Sequence, residues 1–252
     1  MDDIVIPEPV DLDTELDALA ARYRAAGGIS VKLLASLGGR AEELLERLPG
    51  PVRAGLDAAT ARALKLAMQA ARQSRRVVRD RKPWVNTATT TMMGAAGEFA
   101  GLPGALVELP ATTTMLLRAI QGVAAEHGFD PNEPSVEFDC IRVFGTAGPL
   151  DRDDGADLSF LSLRLTLTGG AAHKLIAVVA PRLAAVLGQK LAAQTVPVLG
   201  AFTGAGVNYL YTRYYQEIAH VHFGLRRLAV AADMTEPELI KLLAARMQRR
   251  VA

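Results

Sequence analysis

Cysteine and aromatic residues are scarce in this chain of 252 residues. Its one cysteine, Cys140, excludes an intramolecular disulfide and any zinc site built from several thiolates. Aromatic residues make up only 5% of the chain, although 50% of its residues are hydrophobic. A chain of this length can bury enough surface to fold without cross-links. Its core must therefore be built mainly from aliphatic side chains.

Excess charge of either sign is also missing. The formal net charge is +1, which argues against a dedicated nucleic-acid binder. The chain begins Met1-Asp-Asp-Ile and lacks the apolar region of a secretory signal, so we expect a cytoplasmic protein. There is no phosphate-binding loop and no nucleophile elbow, and Gly204 and Gly206 lack the third glycine of a dinucleotide-binding fingerprint.

The composition that remains favours helices. Alanine is abundant, and it loses no side-chain entropy in a helix. Apolar residues recur every three or four positions through most of the chain. This pattern predicts an all-α protein, folded as a single multi-helix bundle with glycine-faced central helices. The predicted helices cover about 12–26, 29–48, 53–80, 111–127, 136–145 and 171–195, then the run from Pro197 to about 231 and a last helix to about 250.

Local signals set the predicted helix ends. The glycine pair Gly27-Gly28 stops the first helix, and Gly128 lies just past the helix at 111–127. Ser135 is the predicted cap of the helix at 136–145, and Thr235 with Glu238 makes a capping box before the last helix. The segment 158–168 alternates leucine with polar residues, as strands do, but its length and surroundings favour helix. We divide the chain into an N-terminal helical arm, 1–50, and a helical domain, 51–252.

Charge is segregated along the chain despite the small net value. Residues 1–20 carry seven acids and no base, whereas residues 53–82 carry nine bases and two acids. The basic face of the predicted helix at 53–80 could bind anionic phosphate headgroups, pair with the acidic arm, or simply be solvated. Nucleic acid fits poorly because no aromatic residues are interleaved. The bases assigned to a membrane- or anion-binding surface are Arg72, Arg75, Arg76, Arg79, Arg81 and Lys82.

Two apolar segments carry GxxxG motifs. The first has Gly97 and Gly101, and the second has Gly200 and Gly204, with Asn208 one turn further along the same face. Small residues at this spacing let two helix backbones approach closely. We therefore predict that the two glycine faces lie near each other, with Asn208 hydrogen-bonding across the contact. The alternative is that small residues only fill a tight core.

Aromatic residues and bases flank these apolar segments. Such pairs are typical of a membrane–water interface, although tyrosine also occurs at the rim of soluble cores. The second segment, 191–212, has no formal charge but contains proline and three glycines, so it is marginal as a membrane span. The flanking residues assigned to the interface are Trp84, Tyr209, Tyr211, Arg213, Tyr214 and Tyr215.

Residues that carry chemistry are few. The acidic loop 151–157 lacks the glycine and glutamate positions of an EF-hand. Cys140 lies on the predicted core face and is expected to pack rather than react. Of the four histidines, His220 and His222 lie on different faces of one helix. His127 and His173 are distant from them in sequence. We therefore predict no metal site and no cofactor.

Two glutamates, Glu98 and Glu108, each stand alone in a long uncharged stretch. Burial would raise the pKa of either carboxyl unless a base pairs with it, and Arg118 and Arg213 are the candidate partners. We treat both glutamates as candidate functional carboxylates, with a structural ion pair as the alternative.

Strings of glycine, proline and small residues recur in the second half of the chain. One runs Val196-Pro-Val-Leu-Gly-Ala-Phe-Thr-Gly-Ala-Gly-Val-Asn208, and it is followed by the segments 219–223 and 226–228. These strings resemble the closing motif of the EcsC protein family, and the segments 101–110 and 116–128 resemble its central part. The resemblance covers about residues 60–230. It implies a helical protein and offers no catalytic residues to carry over, and His127 stands where we expect the family to have tyrosine.

These features lead us to expect a non-enzymatic, EcsC-type bacterial protein, cytoplasmic and peripherally associated with the inner membrane face. Its partner would be an anionic membrane surface or a membrane protein. Two alternatives stay open. One is a hydrolase acting on a lipid or peptide, with Glu108 or His173 as acid–base groups. The other is a soluble adaptor that binds a partner helix in an apolar groove.

Overall fold

The computed structural model describes residues 11–36, 46, 48–77, 101–146, 171–194 and 204–249. Within these ranges the chain forms seven α-helices and no strand, which confirms the all-α prediction. The segment 158–168, with its strand-like alternation, lies outside them. We number the helices α1 (Leu12–Ser36), α2 (Gly50–Val77), α3 (Gly101–Glu126), α4 (Pro134–Phe144), α5 (Ala171–Gln194), α6 (Gly204–Ala231) and α7 (Glu236–Arg249).

Helix α6 lies at the centre of the bundle. It contacts α1, α3, α4, α5 and α7. Its large side chains are buried in the core, among them Tyr211, Tyr215 and Phe223, none of which exposes any surface. Burial of one such side chain contributes about 1.5–3 kcal/mol to folding. Helix α6 therefore holds together helices that are far apart in the sequence.

Helix α2 packs by one face only. Leu56, Leu64 and Ala67 are buried, whereas Arg62 and Lys65 are exposed. The helix packs against α3 and α5. This is the amphipathic helix that the three- and four-residue spacing predicts.

Helix α1 is longer than the sequence predicts. It runs through both Gly27 and Gly28 to Ser36, so the predicted end at the glycine pair is wrong. A glycine inside a helix costs only about 1 kcal/mol relative to alanine. Leu16 and Tyr23 before the pair are buried, and Ile29 after it packs against the core, which offsets that cost. The division of the chain at residue 50 stays a prediction.

The other predicted helix ends give two confirmations and one error. Gly128 has a φ of 84°, the left-handed conformation expected just past a helix. Before α7, Glu238 Oε2 accepts a hydrogen bond from the Thr235 amide at 2.9 Å, which is the glutamate half of a capping box, and another from the Thr235 hydroxyl at 2.7 Å. Ser135 is not the cap of α4: Glu133 is the N-cap residue, and Pro134 follows it at the start of the helix. Proline has no amide hydrogen, so one unsatisfied donor is absent there.

The predicted apolar segment 191–212 lies partly outside the described residues. Among the helices of the described ranges, none combines the length and the apolar character that crossing a membrane requires.

Helices α4 and α5 approach closely at Gly145. A β-carbon built on Gly145 would lie 2.7 and 2.8 Å from the two methyl groups of Val179. Val179 is fully buried and its branched side chain is stiff. Since Gly145 has an ordinary φ of −87°, space rather than backbone conformation requires glycine here.

We expect Gly145→Ala to lower the free energy of unfolding by about 1–3 kcal/mol, because the added methyl group overpacks the α4–α5 contact. Urea denaturation followed by circular dichroism measures the change. Adding Val179→Ala should remove the clash, so the double variant should be no less stable than Val179→Ala alone.

Gly28→Ala is the matched control. Gly28 is exposed inside α1, and a β-carbon there would meet nothing within 4 Å. This variant should gain up to about 1 kcal/mol from the better helix propensity of alanine. Equal stability of Gly145→Ala and the wild type would contradict the predicted clash.

Candidate functional site

The predicted basic surface is only partly within the described residues. Arg72, Arg75 and Arg76 belong to the last turns of α2. They continue the spacing of Arg62 and Lys65, whose side chains are exposed. The remaining members of the predicted surface lie outside the described residues: Arg79, Arg81, Lys82 and Trp84.

The tyrosines of the predicted interface are mostly in the core. Tyr211 exposes no surface, and Tyr214 and Tyr215 are also buried. The interface assignment is therefore wrong for these three tyrosines, because their positions on α6 face the bundle rather than solvent. Tyr209 is 45% exposed. Arg213 is exposed as well, and its Nη2 donates a hydrogen bond to Glu217 Oε1 at 3.1 Å.

The glycine motifs fall at the starts of two helices that contact each other. Gly101 is the first residue of α3 and Gly204 the first residue of α6. Gly97 and Gly200 lie outside the described residues, so the close apposition of the two motifs stays a prediction. Asn208 is buried on α6.

The candidate carboxylate Glu108 and His173 lie on different helices. Glu98 lies outside the described residues. Glu108 belongs to α3 and His173 to α5. Their suggested acid–base roles stay predictions.

A buried ionic cluster surrounds Asp139. Arg142 Nη2 donates a hydrogen bond to Asp139 Oδ1 at 2.9 Å, and Arg226 Nη1 donates one to Oδ2 at 2.6 Å. His222 Nε2 lies 3.5 Å from Oδ2, and Glu236 Oε2 lies 3.9 Å from Arg142 Nη2. Asp139 and Arg142 belong to α4, His222 and Arg226 to α6, and Glu236 to α7. The Asp139 carboxylate therefore joins α4 to α6, and the contact between Arg142 and Glu236 adds α7 to the cluster.

Asp139 stays ionised in this cluster. Burial by itself would raise the pKa of the carboxyl. The hydrogen bond and charge of His222, together with the charges of Arg142 and Arg226, outweigh burial and lower the pKa below its usual value. An ionised carboxylate that two guanidinium groups already hold is a poor proton donor. Its role is to fix helices rather than to act as a general acid.

Arg226 also fixes the segment that follows α3. Its guanidinium group lies 4.6 Å from the centre of the Phe129 ring, a cation–π contact, and its Nη2 lies 3.4 Å from the Ser135 hydroxyl. The Phe129 ring in turn packs on Phe223 of α6, with ring centres 5.6 Å apart. Arg226 therefore links α6 to both ends of the turn between α3 and α4.

A second polar contact joins His127, just past the end of α3, to His220 of α6. His127 Nε2 and His220 Nδ1 lie 3.0 Å apart, so they share one hydrogen. Glu126 Oε2 lies 3.8 Å from His220 Nε2, which favours a proton on that nitrogen. His220 Nδ1 is then the acceptor and His127 Nε2–H the donor.

Both histidines are neutral at pH 7. Burial lowers the pKa of His127 to about 4, and Arg227 and Arg22 add to the effect. Burial also lowers the pKa of His220 to about 3, together with Arg22, His127 and Arg213. Burial acts in the opposite direction on Glu126, whose pKa is raised. A neutral pair is the state that a single shared hydrogen requires.

Sequence reasoning missed both polar contacts. Asp139 and Arg142 are three residues apart, and His222 and Arg226 are four apart, so each pair lies on one helix face. That spacing could have identified two charged helix faces, but it does not indicate that the two faces contact each other. His127 and His220 are separated by 93 residues and share no local signal.

The described residues contain no group of three or more histidine, cysteine, aspartate or glutamate side chains that could hold a metal ion. Cys140 is fully buried, which is the packing position that the sequence predicts. A hydrogen bond of the Asp139 cluster joins α4 to α6, and the hydrogen bond of the histidine pair joins the end of α3 to α6. They connect helices across the bundle.

We expect Asp139→Asn to lower the free energy of unfolding by about 3–5 kcal/mol, because the buried arginines lose the charge that balances them. Chemical denaturation at pH 7 measures the loss. Asp57→Asn is the control, since Asp57 is exposed on α2 and its substitution should change stability by less than about 0.5 kcal/mol. Similar effects of the two substitutions would contradict a balancing role for Asp139.

The histidine pair predicts an acid-sensitive fold. Because the folded pKa values lie below the ordinary value of 6.5, the unfolded chain binds more protons between those limits. Stability is complete above pH 6.5 and falls as the pH drops towards 4, by at most about 1.4 kcal/mol per pH unit for each histidine. The variant His127→Gln/His220→Gln should show a shallower fall in denaturation experiments between pH 7 and 4.5. Parallel curves would contradict the assignment.

The comparisons with known proteins bear on the segment that contains both polar contacts. A family model described as the EcsC protein family matches residues 60–228. No curated protein and no solved structure matches the chain. The matched segment runs from α2 into α6 and leaves α1 and α7 outside. Because it spans more than half of the chain, the protein belongs to the EcsC protein family.

Proposed function

We propose that this EcsC-family protein works by contact rather than catalysis, docking peripherally on the anionic inner face of a membrane through the basic face of α2. The observation that carries the proposal is the one-sided packing of α2. The face with Leu56, Leu64 and Ala67 is buried, and the face with Arg62 and Lys65 is exposed. The charged side of this helix is therefore available to a partner.

The charge of α2 suits a phosphate-rich surface. The helix Gly50–Val77 contains six bases and one acid, Asp57. Each Lys or Arg near an anionic lipid surface contributes about 1 kcal/mol to binding. A helix with several such bases on one face can bind peripherally without inserting.

In the described residues, the acidic arm does not form the ion pairs that would neutralise the basic face of α2. Its ion pairs run to other helices: Asp13 and Asp17 pair with Arg246 of α7, and Glu15 pairs with Arg227 of α6. These contacts favour a partner outside the chain for α2 over neutralisation by α1.

Fewer aromatic side chains are exposed to anchor the protein at a membrane than the sequence suggests. Of the tyrosines assigned to the interface, only Tyr209 is exposed in the described residues. Attraction between bases and phosphates then provides most of the binding energy. Such attraction is screened by salt, so the proposed docking should weaken steeply as ionic strength rises.

The two polar contacts on α6 support a contact function as well. The Asp139 carboxylate is held by Arg142 and Arg226, and His127 and His220 hydrogen-bond each other. These side chains link helices within the protein.

We expect the wild-type protein to co-sediment with vesicles that contain phosphatidylglycerol at low salt. Changing Arg72, Arg75, Arg76 and Arg79 to glutamate should abolish co-sedimentation, because four attractive charges become repulsive. The smaller variant Arg62→Glu/Lys65→Glu should weaken binding at least about ten-fold.

The matched control is Arg24→Glu/Lys32→Glu. Both residues are exposed on α1, and their replacement changes the net charge by the same amount as Arg62→Glu/Lys65→Glu. We expect this control to bind nearly as well as the wild type. A wild-type protein that ignores anionic vesicles at low salt would overturn the proposal, and equal losses in both double variants would show that α2 has no special part.

A further inference from the structure

We infer that the His127–His220 pair is an acid-operated latch for helix α1: the neutral pair allows α1 to lie on α6, and protonation of the pair releases α1 while the rest of the bundle stays folded. Both histidines lie within the segment that the EcsC family model matches, and α1 lies outside it. The family segment therefore carries a device that controls a helix outside it. The inference concerns α1 and does not depend on docking at a membrane, so each can fail without the other.

His220 lies on the face of α6 that α1 covers. Arg22 Nη1 of α1 donates a hydrogen bond to Glu217 Oε2 of α6 at 3.0 Å. Leu19 of α1 lies against Gly224 of α6, where a β-carbon would clash with the leucine side chain. Glu217, His220 and Gly224 follow each other at three and four residues, so they share one helix face. The side chain of His220 is accordingly only 16% exposed, and release of α1 opens it to water.

The pair has room for one hydrogen only. His127 Nε2 and His220 Nδ1 lie 3.0 Å apart, and their ring centres lie 5.3 Å apart, so the two rings meet nearly end to end. This geometry suits a single N–H···N bond, in which one nitrogen donates and the other accepts. When both rings take up a proton, both facing nitrogens carry a hydrogen and the bond is lost.

The charges beside the pair are balanced only while the pair is neutral. In the described part of the chain they are three arginines and three glutamates: Arg22 and Glu15 of α1, Glu126 of α3, and Arg213, Glu217 and Arg227 of α6. A proton on either histidine adds a positive charge that no carboxylate of this group balances. Because Arg22 belongs to α1, part of the repulsion acts on the helix that covers the pair.

Release of α1 lets the pair take up protons more readily. In the closed state, burial and nearby arginines lower the pKa of His127 to about 4 and that of His220 to about 3. In the open state the rings meet water, so their pKa values return towards the ordinary 6.5. Between these limits the open state binds more protons, and opening increases as the pH falls, by at most about ten-fold per pH unit for each histidine. Glu126 acts in the other direction, because burial raises its pKa, but it is one group against two.

Helix α1 can leave without the rest of the bundle. It packs against α6 and α7, whereas α6 also packs against α3, α4 and α5. On another face of α6, the Asp139 cluster keeps its charges in mild acid, because the pKa of Asp139 lies below its usual value. It continues to hold α4 on α6 at a pH at which the open pair is protonated. Local opening of one helix is therefore the first response to acid.

Amide hydrogen exchange, corrected at each pH for the intrinsic exchange rate of the free chain, measures the release of α1. In the wild type, the protection factors of residues 16–26 should fall by about ten- to a hundred-fold per pH unit between pH 6 and 4.5. At pH 4.5 these amides should exchange faster than the amides of α4. Constant protection of α1 over this range overturns the inference, as does loss of protection in α1 and α4 at the same pH.

The variant His127→Gln/His220→Gln removes both titrating rings, and glutamine can still hydrogen-bond across the contact. Protection of α1 should then stay nearly constant between pH 6 and 4.5. Urea denaturation at pH 7 confirms that the variant is folded. A pH-dependent loss that persists in it shows that other groups release α1, which contradicts the latch.

A second pair of variants keeps both histidines and tests the same coupling from the side of α1. Leu16→Ala weakens the docking of α1, so the pH at which α1 is released should rise by about one unit. Leu183→Ala on α5 is the matched control, since both leucines are fully buried, and it should leave the release of α1 at the wild-type pH. Equal shifts in the two variants overturn the inference, because α1 then opens only when the whole bundle unfolds.

Discussion

The burial of α6 is the constraint on which the rest of the structure depends. A helix that contacts five others must balance the charges that it carries into the core, since an unpaired buried charge costs several kcal/mol. His222 and Arg226 meet this requirement at the Asp139 carboxylate, and His220 meets it at His127. Each pairing also fixes a neighbour: α4 through Asp139, and the end of α3 through His127. The polar residues of α6 therefore determine which helices lie beside it.

This arrangement separates charges that hold the protein together from charges that face outward. The Asp139 cluster has an ionised carboxylate between two guanidinium groups, and the histidine pair is neutral at pH 7. Neither offers a free charge to a partner. The exposed bases of α2 differ, because α2 packs by its apolar face alone and presents Arg62 and Lys65 to solvent.

Two helices outside the segment that the EcsC family model matches pack together on its last helix, α6. Helices α1 and α7 contact each other and both contact α6, and Arg246 ties α7 to the acidic start of α1. Leu19 of α1 also lies close to Gly224, where a β-carbon would clash with its Cδ2 atom. In the described part of the acidic segment, Asp13 and Asp17 therefore pair with an arginine of α7 and Glu15 with an arginine of α6, rather than with bases of α2.

The amino-acid sequence by itself determined the helical class, the amphipathic character of α2, the buried position of Cys140 and the turn at Gly128, because each follows from residue spacing or from the conformational freedom of one residue. It misplaced the end of α1 and the cap of α4, and it assigned Tyr211 to a membrane interface although the side chain is buried in the core. In α1, burial on both sides of Gly27-Gly28 outweighs a local propensity. In α6, whether Tyr211 faces lipid or core depends on which helices surround it.

Only the tertiary structure decided that Asp139 meets Arg226 and that His127 meets His220, since these contacts join residues 87 and 93 positions apart. Periodicity tells which face of a helix is apolar, and packing alone tells which other helix that face meets.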